Sequence, residues 1–223
     1  MQKFDTSTPI TAVLDIPAGR IQFIAADRAD TTVEVLPANA SKSRDVKAAE
    51  QTTVEYDDGV LRIDAPAAKN QYLGPSGSIE VTIQLPADSR VEAQSAAAEF
   101  RAVGRLGDVV FEGANGAIKV DEVASMRLTV AAGDVSIGRL GGPAEISTQK
   151  GDIHIAEAVR GAVVLTTQMG DVSISAARGI SASLDAGTTY GRIQNTLLNT
   201  DGAAAGLHIR ATTSHGDITA TSL

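Results

Sequence analysis

The chain of 223 residues has no cysteine and no tryptophan, and only 3% of its residues are aromatic. Without cysteine there are no disulfides, thiolate metal sites or thiol nucleophiles, and redox logic leaves the compartment open. The scarcity of aromatic rings removes the stacking platforms on which sugar and single-stranded nucleic-acid binders depend. Positive charge is short as well. Counting 19 Lys plus Arg against 27 Asp plus Glu leaves a net charge of −8, which argues against a partner bound through its phosphate backbone. The first hundred residues carry 9 basic and 15 acidic side chains and the rest 10 and 12, so neither half hides a basic module. Long apolar runs are missing too, and Met1 to Pro9 lacks the apolar core of a signal peptide. The chain as written is therefore expected to be soluble and cytoplasmic, or at the cell surface if a leader or anchor has been trimmed from it.

What the sequence does have is repetition. Gly133-Asp134-Val135-Ser136-Ile137 returns as Gly151-Asp152-Ile153-His154-Ile155 and Gly170-Asp171-Val172-Ser173-Ile174, then as Gly191-Arg192-Ile193, at spacings of 18, 19 and 21 residues. A last copy, Gly216-Asp217-Ile218, follows after 25 more, with Asn199 to Ala203 read as a protruding loop between them. Within each phrase the alternation puts Val or Ile on one face and Ser or His on the other. Seven and five positions before each glycine stand further apolar pairs, such as Ala144 and Ile146 or Val163 and Leu165. Each unit thus reads as strand, tight corner, strand, looser corner, and self-similarity at this period is the mark of a stacked β-structure.

Upstream, Ile10 to Ile16, Arg20 to Ile24 and Thr31 to Leu36 read as strands of a β-meander, and Asp57-Asp58-Gly59 predicts a hairpin because Asp-Gly accepts positive φ. Ser41 to Glu50 fits a loop or one short helix, Lys69 to Gly77 a long loop, and Ser78 to Leu85 a strand ended by Pro86. The Ala-rich run from Val91 to Arg105 reads as the first coil rather than a helix, with Asp108-Val109-Val110-Phe111 as the earliest copy of the repeat phrase.

The candidate site is a column of acids, Asp108, Asp134, Asp152, Asp171 and Asp217. In register they would lie about 4.8 Å apart, neutralised by a cation or by local hydrogen bonds. A calcium ladder is the sharp version, but calcium repeats carry denser Gly and Asp, and Ala117 and Arg192 interrupt this row. Asp after Gly at a corner more often accepts backbone N–H groups, so no metal, cofactor or catalytic residue is assigned. His154, His208 and His215 fall in separate repeats with no metal-ligand spacing, and no Gly-x-Ser-x-Gly elbow is present. The glycines of Gly138 to Gly142 open no predicted helix and read as a turn rather than a phosphate cradle.

The succession of Gly-Asp-Val-x-Ile units, closing with Thr188 to Asn195 and Thr212 to Ile218, resembles the bacterial putative-adhesin family of β-helical domains of unknown function. The resemblance covers about Val91 to Leu223 and implies a β-solenoid with a non-enzymatic, interaction-based role; it brings no catalytic residues.

The expectation is an all-β chain: a β-meander leading into a right-handed, single-stranded β-solenoid with coils of about 18–21 residues. Residues 1–90 form the leading region and 91–223 the repeats, as two parts or one continuous domain. Its work would be protein contact, with an unknown protein partner or by self-association, without nucleic acid and without a membrane span. The alternatives are a polysaccharide-acting β-helix enzyme using carboxylates of the column, and a calcium-stabilised binding module.

Overall fold

Period-2 alternation buries one side of every strand and leaves the other wet. The structure, a computed structural model, describes residues 1–66 and 77–223, so most of the loop expected at Lys69 to Gly77 lies outside the described residues. In chain order the strands are β1 (Gln2–Asp5), β2 (Thr11–Asp15), β3 (Ala18–Ala26), β4 (Asp30–Pro37), β5 (Thr53–Asp57), β6 (Val60–Asp64), β7 (Ile79–Pro86), β8 (Arg90–Asn115) and β9 (Ile118–Ala132). They continue as β10 (Val135–Leu140), β11 (Ala144–Lys150), β12 (Ile153–Ala158), β13 (Gly161–Met169), β14 (Val172–Ala176), β15 (Ala182–Tyr190), β16 (Ile193–Thr196), β17 (Leu207–His215) and β18 (Ile218–Ser222). The α-helix α1 (Ser43–Gln51) packs on β4 and β7, and its buried Asp45 accepts the Ser78 backbone N–H at 3.0 Å.

The repeats coil as expected. Each supplies one strand to each of two parallel ladders. The first runs from β3 through residues 100–106 of β8 and 118–123 of β9 to β10, β12, β14, β18 and β16. The second runs from residues 108–115 of β8 through 126–132 of β9 to β11, β13, β17 and β15. The Ala-rich run from Val91 is strand, not helix, because β8 lies in register with β2 and β3.

Register depends on the glycine corners. Gly133, Gly151, Gly170 and Gly216 have φ of +142° to +154°, and a Cβ on any of them would sit 2.0–2.2 Å from the carbonyl oxygen of the equivalent glycine in the neighbouring coil. Only a residue without a Cβ lets two coils approach this closely.

Two features depart from the sequence reading. The first two strands of the expected meander do not pair with each other. β2 lies between β6 and β8, and β3 between β7 and β8, all in parallel. Residues 11–26 are therefore one coil of the solenoid; a meander arm and a coil arm show the same alternation, and only the corner tells them apart. Gly19, with φ of +138° and the Ile79 carbonyl against its missing Cβ, is a corner of the repeat type. Among the described residues antiparallel pairing is confined to β1–β4, β4–β7 and the β5–β6 hairpin, whose Asp58 and Gly59 take the positive φ that Asp-Gly predicts. The second departure is coil order. β17 and β18 insert between β13/β14 and β15/β16, so the last coil in sequence is the second to last in space.

One buried apolar cluster runs from Ile10 to Ala220. Phe23, Phe100 and Phe111 stack along it at centroid separations of 5.5 and 5.3 Å, joining the leading coil to the repeats. Among the described residues no helix is long and apolar enough to cross a membrane.

Gly151→Ala is expected to lower the free energy of unfolding by about 2 kcal/mol or more, through positive φ and the blocked approach. Gly187→Ala, with nothing within 4 Å of the added Cβ, should change it by less than about 0.5 kcal/mol. Urea unfolding of the two variants beside the parent checks both values.

Candidate functional site

The corner that follows each repeat glycine carries the acids. Their carboxylates turn to the next coil, where Asp134 Oδ1 accepts the Asp152 N–H at 3.0 Å, Asp152 Oδ1 the Asp171 N–H at 2.8 Å and Asp171 Oδ1 the Asp217 N–H at 2.7 Å. Asp217 Oδ1 then accepts the Arg192 N–H at 2.8 Å, while its Oδ2 takes the Arg192 guanidinium at 2.8 and 3.2 Å. The column is thus a ladder of side-chain caps on backbone donors, running in spatial rather than sequence order and ending on a cation.

Four of the five acids proposed from sequence stand in this ladder; Asp108 does not. It pairs in register with Ser125 on the second ladder, accepts the Ser125 hydroxyl, and lies 3.9 Å from Arg90. The segment Val109 to Phe111 aligns with Met126 to Leu128 and is the other arm of its coil. The copy of the phrase in this coil begins at Ala98, whose carbonyl faces Gly116 and which pairs with Gly19 of the leading coil, and continues to Phe100 opposite Ile118. The signal that could have placed it is the apolar pair Phe100 and Ala102, which matches Ile118 and Val120.

A threonine ladder supports the corner from inside. Thr167, Thr213 and Thr188 each donate to the carbonyl of the repeat glycine in the adjoining coil, Gly151, Gly170 and Gly216, at 3.0–3.1 Å. The histidines stay apart: His154 is exposed beside Ser136 and Ser173, His208 Nδ1 is 2.9 Å from Ser183 Oγ, and His215 stacks on Tyr190 at 4.9 Å. Among the described residues no three His, Asp or Glu side chains are grouped to hold a metal.

Three carboxyls are held below their usual range, each by a guanidinium. Arg28 and then Lys3 hydrogen-bond Asp30 and bring it to about 2, Arg105 lowers Asp88, and Arg192 lowers Asp217 through its side chain first and its N–H second. A glycosidase acid needs the opposite displacement, upward by desolvation.

Sequence reasoning passed over the outer faces. On the first ladder, Lys119, Ser136, His154, Ser173, Thr219 and Gln194 form one outward row. Beside it lie Ser175, Thr221 and Thr196, with the Ser175 and Thr221 hydroxyls 3.0 Å apart. On the second ladder one outward row carries Arg127, 3.4 Å from Glu145, and Arg210, 3.1 Å from Asp185, and the next holds Glu112, Thr129, Ser147, Thr166 and Thr212.

The sequence matches the Toastrack DUF4097 family over residues 103–221. No curated protein matches it. Among solved structures, a putative adhesin from Bacteroides fragilis NCTC 9343 has the same fold at 15% identity, with 98% of this chain and 95% of that one covered and a TM-score of 0.58. A putative adhesin from Parabacteroides distasonis ATCC 8503 aligns at 14% identity over 100% and 95% of the two chains with a TM-score of 0.48.

The ladder yields two expectations. Asp152→Asn keeps the acceptor oxygen and should be near neutral, whereas Asp152→Ala strips the Asp171 N–H of its partner and should cost about 1 kcal/mol, with the melting temperature the same in EDTA and in calcium; calorimetry reads all of these. Asp217 is lowered in the folded chain, so its pairing with Arg192 stabilises above the ordinary carboxylate range and is lost as the pH falls through the lowered value. In Arg192→Gln the Asp217 titration should move upward, as followed by carboxyl NMR.

Proposed function

The chain belongs to the Toastrack DUF4097 family, whose function is unknown, and from that premise we propose that it is a non-enzymatic, adhesin-like solenoid scaffold that docks a protein on the outer face of its first ladder. The observation that carries this reading is the open row from Lys119 to Gln194 on the first ladder. Neighbouring charges are already paired along the coil stack, Arg139 with Glu122 and Glu157 on the first ladder, and Arg127 with Glu145 and Arg210 with Asp185 on the second. The open row offers six successive rungs, three of them Ser or Thr, about 24 Å long at the 4.8 Å spacing of paired strands, and among the described residues no ion pair crosses it. Short side chains lose little rotamer entropy when covered, and hydroxyls both donate and accept, so such a face suits an extended protein contact. The repeat carboxylates support a scaffold rather than an enzyme, because each already holds a backbone N–H of the next coil. The name adhesin borne by the Bacteroides fragilis protein of this fold agrees with an interaction role.

A photo-reactive residue placed at Ser136, Ser173 or Thr219 in the producing cell is expected to give the same discrete protein adduct at all three positions, and none from Glu145 or Asp185. Ser173→Arg should cut capture at least tenfold. Equal labelling from both faces, or reducing sugar released from a polysaccharide in a manner that depends on Asp152, would overturn the reading.

A further inference from the structure

The spatial order of the coils leaves β15 and β16 at one end of the stack, each paired among the described residues on one side only, with β17 and with β18. The Ile218 N–H donates to the Arg192 carbonyl. In a parallel ladder alternate residues of a strand bond to a given neighbour, so Ile193 and Asn195 turn their N–H and C=O groups to the open side. Unpaired edges of this kind recruit another strand unless they are blunted by Lys, Pro, a bulge or a covering element.

This edge is not blunted. β15 and β16 contain no Lys and no Pro, and their only charged residue is Asp185. Asp185, and Arg192 at the corner between the strands, are each paired to the coil beneath, with Arg210 and with Asp217. The opposite end is built differently. Its outermost strands, β1 and β5, pair antiparallel and carry Lys3 and Asp5, and Glu55 and Asp57, and α1 packs beside β1's partner β4. Exposed apolar side chains follow the same division. Of the seven large ones that are exposed among the described residues, Met169, Tyr190, Ile193, Leu198 and Leu223 belong to the three outermost coils of the open end and its loops. Tyr190 is 68% exposed, Leu198 59% and Ile193 46%.

We propose that this end pairs with the same end of a second copy, closing a two-fold dimer. Three observations select that occupant. The chain carries a net charge of −8, so two copies meet with least repulsion along the two edge strands and the corner between them, which hold one acid and one base. A patch bearing one charge of each sign is self-complementary under a two-fold axis, since residue i can meet j while j meets i. The far end, with charged antiparallel edges, offers no matching coil to receive the open one, so the contact closes at two copies rather than growing into a filament. The proposal goes beyond the docking face on the first ladder and does not depend on it.

Light scattering coupled to gel filtration over a concentration series is expected to take the mass from the 22.9 kDa of one chain to twice that value and no further. The double variant Tyr190→Lys, Ile193→Lys should weaken the dimer at least tenfold, while Leu36→Lys at the other end should not. Should the double variant fail to fold, Asn195→Pro removes one open-side N–H without removing a bond to β18 and should weaken the dimer as well. Because the chain has no cysteine, a spin label on Gln194→Cys reports the contact directly: a defined distance between copies is expected there and none from Leu36→Cys. A monomer at every concentration, a mass growing past two copies, or coupling at Leu36 instead of Gln194 would overturn the proposal. The mass doubles whether or not the hydroxyl face binds a partner, so the two readings fail separately.

Discussion

The close approach of successive glycine corners governs this molecule. Stacked coils must come within hydrogen-bonding distance all the way round, including the tight corner where both backbones turn. There the repeat glycine N–H of one coil meets the carbonyl that precedes the glycine of the next, as in Gly133 to Lys150 and Gly151 to Met169 at 2.8 and 2.9 Å. A side chain at that point would collide with backbone, which has nowhere to move. Because the glycine is fixed in the stack, every residue a given number of positions away is fixed too. The apolar rows, the threonine ladder and the outer faces are consequences of one sterically enforced register.

That register also explains how acids come to be stacked. Two unit charges about 4.8 Å apart repel by roughly 0.9 kcal/mol even at the dielectric constant of water. The column persists because each carboxylate meets the positive end of a backbone N–H dipole in the next coil, a charge-assisted bond of the stronger kind. The last Asp has no further Asp above it and meets Arg192 instead. A repeated Asp is thus a repeated answer to one local need, the N–H left over at a tight corner. An active site would show itself as a single departure from the pattern.

The coils were legible because they rest on local rules. Alternation set the inward residues, Gly set the corner, and Asp58-Gly59 set the hairpin. What escaped was adjacency. Alternation looks the same whether a strand pairs with its sequence neighbour or with a coil far along the chain, so residues 11–26 read as a meander although they form a coil. Asp108 misled for a related reason: Gly-Asp-Val is short, and at Gly107 it falls on the opposite arm, where the missing Cβ clears the Asp88 and Ser89 carbonyls rather than a repeat corner. The outer faces were invisible because a row exists only once register is known. Ser136, His154 and Ser173 are unremarkable one at a time.

The exchanged order of the last two coils follows from what each can bury. In the coil of β17 and β18, Leu207, Ile209, Ala211, Ile218 and Ala220 are all buried, so it needs a neighbour on both sides. The coil of β15 and β16 holds Asn195 where its neighbour has Ala220, and the smaller Ala182 where it has Leu207. Placed last, the first of these would leave an apolar row open to water, whereas the second puts a polar residue there at little loss. The chain therefore passes over one level after β14, lays down the less apolar coil, and returns through Leu198 to Gly206 to fill the gap, tied by the Leu198 N–H to Ser222 Oγ and by the Leu223 N–H to the Ala176 carbonyl. Arg192 is the trace of this in the sequence: a guanidinium stands where the other late copies have an acid, and it belongs to the one coil with nothing beyond it to cap. A break in a repeat can thus mark the end of a stack as well as a site, and the partner it finds distinguishes the two. Here that partner is Asp217, a member of the ladder itself.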